Sequence, residues 1–157
     1  MKLRNIVVDD AIITRLQGTK RNEVLAELMD SLVNAGVVPS EHRDSFLDGV
    51  VKRENRGSTG FGHGVAVPHV KTADIDSLKV AIGISDSGID FKALDKQPVH
   101  SIFLLVSPEE KPEEHIDAME AIFARLSGDQ FRRFLRQADS VQDVLTLIEE
   151  ADAVQTG

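Results

Sequence analysis

The apolar positions change their period several times along the chain, and each change marks an element. Residues 6–16 carry β-branched Val7, Val8, Ile12 and Ile13 and read as extended. Val24, Leu25, Leu28 and Leu32 then recur at three and four, which predicts a helix capped by Thr19 and stopped at Gly36. Ser40 caps a second predicted helix with Phe46, Leu47, Val50 and Val51 on its inner face. A short buried strand, Val65-Ala66-Val67, follows and ends at Pro68-His69. Residues 78–85 (LKVAIGIS) and 99–106 (VHSIFLLV) read as two more strands, joined through the turn-rich SDSGID and the segment FKALDKQP. Their nearly unbroken apolar character predicts burial on both faces.

The last third reads as helical. Pro112 suits a first helical position, and Ile116, Met119, Ile122, Phe123 and Leu126 predict one inward face. Gly128 interrupts, and Phe131, Phe134 and Leu135 mark a short helix. Ser140 with Asp143 resembles a capping pair ahead of Val141, Val144, Leu145 and Ile148. The tail after Glu150 is expected to fray. Helices, then strands, then helices imply an α/β fold, a sheet sandwiched between helices. Strand order is not legible in this pattern. Neither repeat nor linker divides the chain, so one domain over residues 1–157 is expected, with its core at about 5–150.

Composition narrows the partners. With 18 Lys and Arg against 26 Asp and Glu, the net charge of −8 argues against a broad grip on a nucleic-acid backbone. Seven Phe with neither Trp nor Tyr give little for stacking bases. The chain has no Cys, which excludes disulfides and thiolate metal sites and points to a reducing cytoplasm. No apolar run approaches the roughly 20 residues of a membrane span, so membrane insertion is not expected.

The chemistry concentrates in residues 53–71, RENRGSTGFGHGVAVPHVK. His69 follows Pro68, whose fixed φ limits backbone freedom just before it. A neutral imidazole held there can accept a phosphoryl group without an activating base; the plainer reading is a turn histidine. Gly57-Ser58-Thr59-Gly60 is either a flexible turn or a cradle in which glycines admit oxygens and hydroxyls add donors. It is neither a P-loop nor a dinucleotide fingerprint. Arg53 can offset phosphoryl charge, and spacing leaves Lys52 and Arg56 as competitors. His115, four residues before Met119, is either a half-buried packing residue or a donor to phosphoryl oxygens. His63 and His100 complete a set of histidines with no recognised metal spacing, so no metal is expected.

The stretch RENRGSTGFGHGVAVPH resembles the active-site signature of the fructose/mannitol-type IIA domains of the bacterial phosphotransferase system. That signature has an R-E pair, then G-S-T-G, then a small–apolar run ending in P-H. GIDFKALDKQPVHSIFLLVSPEEKPEEHIDAMEAIFARL is similar to the family's second half, where a second histidine opens a helix, and the likeness spans about residues 5–150. The resemblance implies a mixed sheet in a three-layer α/β/α fold, and a branch closest to the nitrogen-regulatory IIA proteins. It implies that His69 is phosphorylated, that His115 supports transfer, and that Arg53 holds the phosphoryl group with Ser58, Thr59 and Gly60 beside it. Phe61 and Val70 are the candidates for an apolar partner rim. The implied partners are an HPr-like donor and a IIB protein or regulated target; neither metal nor nucleotide is needed.

Three departures stand out. Val70 occupies a position after the active histidine that is usually small in the family. His63 stands where the nitrogen-regulatory members carry Asn, and His100 where an acidic residue is common. The competing readings are a sugar-transport IIA component, a binding module without turnover, and a histidine-based metal hydrolase.

Overall fold

The two longest apolar runs form the centre of the sheet. In the computed structural model, which describes residues 1–156, these are β5 (Lys79–Ile89) and β6 (Val99–Pro108), paired antiparallel with Val80 opposite Leu105 and Ile82 opposite Phe103. Ahead of them come β1 (Val7–Ile13), α1 (Arg21–Asn34), α2 (Arg43–Arg56), β2 (Gly60–Gly62), β3 (Val65–Ala66) and β4 (His69–Thr72). After them come α3 (Pro112–Leu126), α4 (Asp129–Gln137) and α5 (Val141–Thr156). The six-stranded sheet runs β1-β5-β6-β3-β2, with β4 also paired to β6. β1 lies parallel to β5, and β3 and β4 lie parallel to β6, so the sheet is mixed.

Alternation along the central strands divides the core. Val80, Ile82, Ile84, Phe103 and Leu105 pack with Ile122, Leu126, Val144 and Ile148 of the C-terminal helices. Ala81, Ile102, Leu104 and Val106 pack on the other face with Val24, Leu28, Phe46 and Val50 of α1 and α2. Each large side chain buried this way contributes roughly 1.5–3 kcal/mol. Both faces are thus covered by helices, as the unbroken apolar runs predict.

Several elements differ from the sequence reading. β5 runs on to Ile89, because SDSG is absorbed as a register shift between Ile84 and Ile89, with Gly88 at φ 88°. The glycine-rich segment contains β2, and a new strand starts at His69 where an end was expected. Thr19 lies just outside α1, where its N–H and that of Lys20 donate to Glu23 at 3.0 and 3.2 Å. Ser40 opens a 3-10 turn (Ser40–His42) ahead of α2. The largest correction concerns α3: it buries His115, Ala118, Ala121, Ile122 and Leu126, while Ile116 and Phe123 are 55% and 37% exposed. Phe103 and Leu105 fill the sheet face, and the small Ala118 and Ala121 fit against them. Phe134 of α4 is likewise exposed. The tail does not fray at Glu150, because Asp152 is buried and ion-paired to Arg125 at 2.9 Å.

Candidate functional site

The site forms where β4 and α3 meet at one end of β6. Val67 and Pro68 interrupt the path between β3 and β4, and Leu105 N–H donates to the Pro68 carbonyl at 2.9 Å. This break turns His69 back toward the protein. Its Nδ1 lies 3.0 Å from the Val67 carbonyl, a pure acceptor, so Nδ1 carries the proton and Nε2 keeps its lone pair. His115 opens α3, and its Nδ1 lies 2.7 Å from Ser107 Oγ at the end of β6. The two imidazoles stand 5.3 Å apart between centroids, with their planes at 57°. His115 is buried, deeper than the half-buried position the sequence suggested.

Both rings have weakened proton affinity. Burial is the main cause at His69; the Val67 carbonyl opposes it, and the charges of Arg53 and Lys71 add to the lowering. His115 is pushed down to about 4, chiefly by burial and then by His69 and Lys71. Two neutral, oriented imidazoles therefore face each other at pH 7.

Arg53, Lys52 and Arg56 all border one open pocket of about 430 Å³ with Gly49, His69, Val70 and Lys71. Of the three, Arg53 is the one whose charge bears on His69, and its Nη1 donates to the Gly57 carbonyl at 2.8 Å. Lys52 pairs with Asp48 at 2.8 Å.

The glycine-rich loop supports His69 from behind. Ser58 Oγ donates to the Phe91 carbonyl at 2.6 Å and accepts from Gly60 N–H at 3.0 Å. Thr59 donates both its hydroxyl and its N–H to the carboxylate of Glu54. The Thr59 carbonyl accepts from Val67 N–H at 3.3 Å. Both hydroxyls thus tie the loop to its neighbours, Ser58 to Phe91 and Thr59 to Glu54 of α2, and a chain of hydrogen bonds runs from Glu54 through Thr59 and Val67 to the His69 ring.

Phe61 meets Phe123 edge-on with centroids 4.5 Å apart and packs against the core under the C-terminal helices, whereas Val70 borders the His69 pocket and packs against the core under α1 and α2. His63 and His100 lie elsewhere: His63 N–H is held by Asp95, and His100 Nδ1 lies 2.9 Å from the Ser85 carbonyl. Among the described residues, no group of three or more metal-ligating side chains gathers. Sequence reasoning missed Ser107, Lys71 and the role of Glu54. Only Glu54 left a signal, as the acid beside Arg53 one turn before the loop.

The family described as "Phosphoenolpyruvate-dependent sugar phosphotransferase system, EIIA 2" matches residues 5–151. A nitrogen regulatory protein of Pseudomonas aeruginosa is 30% identical over 157 residues, covering 100% of this chain and 99% of that protein. A fructose-specific EIIA component of Haloferax volcanii is 36% identical over 126 residues, 78% of this chain and 80% of that one. The chain is also 28% identical to a fructose-specific EIIABC component of Bacillus subtilis, spanning 97% of itself but 24% of that longer protein. Among solved structures, the nitrogen regulatory IIA protein of Neisseria meningitidis superposes with TM-score 0.84 at 24% identity, over 93% of this chain and 98% of that one. The mannitol IIA protein of Escherichia coli gives 0.75 at 19%, over 88% and 96%. At these identities the structures speak for the fold, which is the mixed three-layer arrangement found here. The family match spans nearly every described residue that carries the site, and the chain belongs to the EIIA 2 family of the phosphoenolpyruvate-dependent sugar phosphotransferase system.

Proposed function

We propose that this protein is a cytoplasmic phosphocarrier that accepts a phosphoryl group on His69 Nε2. The donor is the phosphohistidine of an HPr-like protein. A new N–P bond forms at Nε2 as the donor's N–P bond breaks. The group then passes to a IIB protein, or its presence is read by a regulated target. The observation that carries this reading is the oriented pair of neutral imidazoles. The Val67 carbonyl leaves His69 Nε2 as a free nucleophile. Ser107 O–H can donate to His115 Nδ1, which leaves His115 Nε2–H to meet phosphoryl oxygens.

Arg53 supplies the cation that balances the incoming charge, and Lys71 adds to it. Ser58, Thr59 and Gly60 shape the loop that keeps Val67, and so His69, in place. Phe61 with Phe123, and Val70, line the surface a partner covers, which excludes water from a reactive phosphoramidate. Neither metal nor nucleotide enters this transfer. The full-length likeness to a nitrogen regulatory protein supports a regulatory role, while the 36% likeness to a fructose-specific component supports sugar transport as the second reading.

Incubation with phosphoenolpyruvate, enzyme I and HPr, read by intact mass before and after mild acid, tests the proposal. One acid-labile phosphoryl group is expected, and it should vanish in His69→Ala. His115→Ala should still load His69 yet pass the group on slowly. Stable loading of His69→Ala would overturn the assignment of the nucleophile.

A further inference from the structure

Gly49 is an unexpected residue in its place. It lies in the middle of α2, where glycine weakens a helix relative to alanine, and it shows no left-handed φ that would demand it. The demand comes from across the groove. A methyl group at position 49 would stand 2.7 Å from Val70 Cγ2 and 3.7 Å from Val70 Cβ, and nothing else outside its own helix comes within 4 Å. Val70 has little freedom to move aside. It is β-branched, and its backbone is paired on β4 opposite Val106 of β6.

We infer that Gly49 and Val70 form an interlocked pair that sets the separation of α2 from β4 and thereby seats Arg53 beside His69; the inference rests on the phosphocarrier reading. Arg53 lies four residues after Gly49, about one turn along the same helix face and about 6 Å further on. Gly49, Arg53, His69 and Val70 border the same pocket. The valine next to His69 would push the helix, and its guanidinium, away from the imidazole. The missing side chain at position 49 takes up that volume. Gly49 and Val70 are thus positioning residues, and Arg53 is the group through which they act. A shift of about 1 Å at such a contact is enough to cost up to 100-fold in rate.

The test is a set of substitutions read by rapid quench of transfer from phosphorylated HPr, together with thermal melting. Gly49→Ala should slow loading of His69 by about 10- to 100-fold at saturating donor, with an unchanged KM for HPr. Gly49→Ala with Val70→Ala should recover to within about threefold of the rate of Val70→Ala alone, the reference that already carries any loss of partner contact at position 70. In an Arg53→Ala background, Gly49→Ala should change the rate no further. Melting should show the same interlock: Gly49→Ala lowers the midpoint while Val70 is present and raises it in a Val70→Ala background. A native rate in Gly49→Ala overturns the inference. So does a Gly49→Ala effect as large in the Val70→Ala background as in the native one, or an undiminished effect without Arg53. If the native protein itself takes no acid-labile phosphate, the proposed function fails and the positioning role falls with it. The melting cycle would then identify a packing pair alone.

Discussion

Burial keeps His69 and His115 neutral where a free imidazole would begin to charge. For His69 the consequence is kinetic. Loading of the native protein should hold level down through pH 6.5, the ordinary imidazole value, and fall only in more acid solution, since only the neutral ring attacks. A rate that drops around pH 6.5, the ordinary value, would contradict the burial argument. For His115 the consequence includes stability. Its folded proton affinity is depressed from 6.5 to about 4, so its contribution is full above 6.5 and is lost as the pH falls toward 4. Denaturant melts across this range should show that loss relative to His115→Gln. Ser107 fixes which nitrogen of His115 faces the site. Ser107→Ala should leave loading of His69 intact and slow onward transfer about tenfold. His69 was legible because glycines, hydroxyls and Pro68 surround it in sequence. Ser107 was not, because a serine ending an apolar strand looks like any turn residue until the fold brings α3 against it.

Among the elements, the glycine-rich loop matters most to the site, and its anchor is an acid. Glu54 is buried at the end of α2 and takes both donors of Thr59. Glu54→Ala should orphan those donors and cost about 2 kcal/mol in a denaturant melt, with slower loading of His69 as the loop loosens behind Val67. Glu54→Gln keeps one acceptor and should lose less. The elements themselves were largely legible: the 3.6 period gave α1 and α2, and the unbroken apolar runs gave β5 and β6. The errors had a common cause in tertiary context. A bulge carried β5 through a turn-like sequence, pairing with β6 made a strand of His69–Thr72, and the crowding of Phe103 and Leu105 turned Ile116 and Phe123 of α3 outward.

Across the whole molecule, one buried charge ties the two ends of the chain together. Asp152 accepts the N–H groups of Leu3 and Arg4 at 3.0 and 2.9 Å and pairs with Arg125, whose side chain is 5% exposed. Asp152→Ala would strand the guanidinium and both backbone donors, and should lower stability by about 3–5 kcal/mol, measured by urea titration. No sequence pattern announced this. An aspartate in a tail of alternating polar residues reads as solvated, and only the sheet topology brings it under the first turn. The sheet order was equally silent, since the partners of β6 come from both sides of it in the chain.

The same clamp makes the order of the chain incidental to its chemistry. Leu3 N–H bonds Asp152, so a linker of about six to eight glycine and serine residues, at roughly 3.5 Å per residue, can join the two segments that carry them. New ends can open at the exposed bend between Asp76 and Ser77, outside the strands that hold the histidines. His69 reaches the site through β4 on one side of β6, and His115 through the helix that follows it. A circularly permuted protein of this design should fold and still load His69, and splitting the gene at that bend should yield two fragments, His69 on one and His115 on the other, that regain activity only on reassociation.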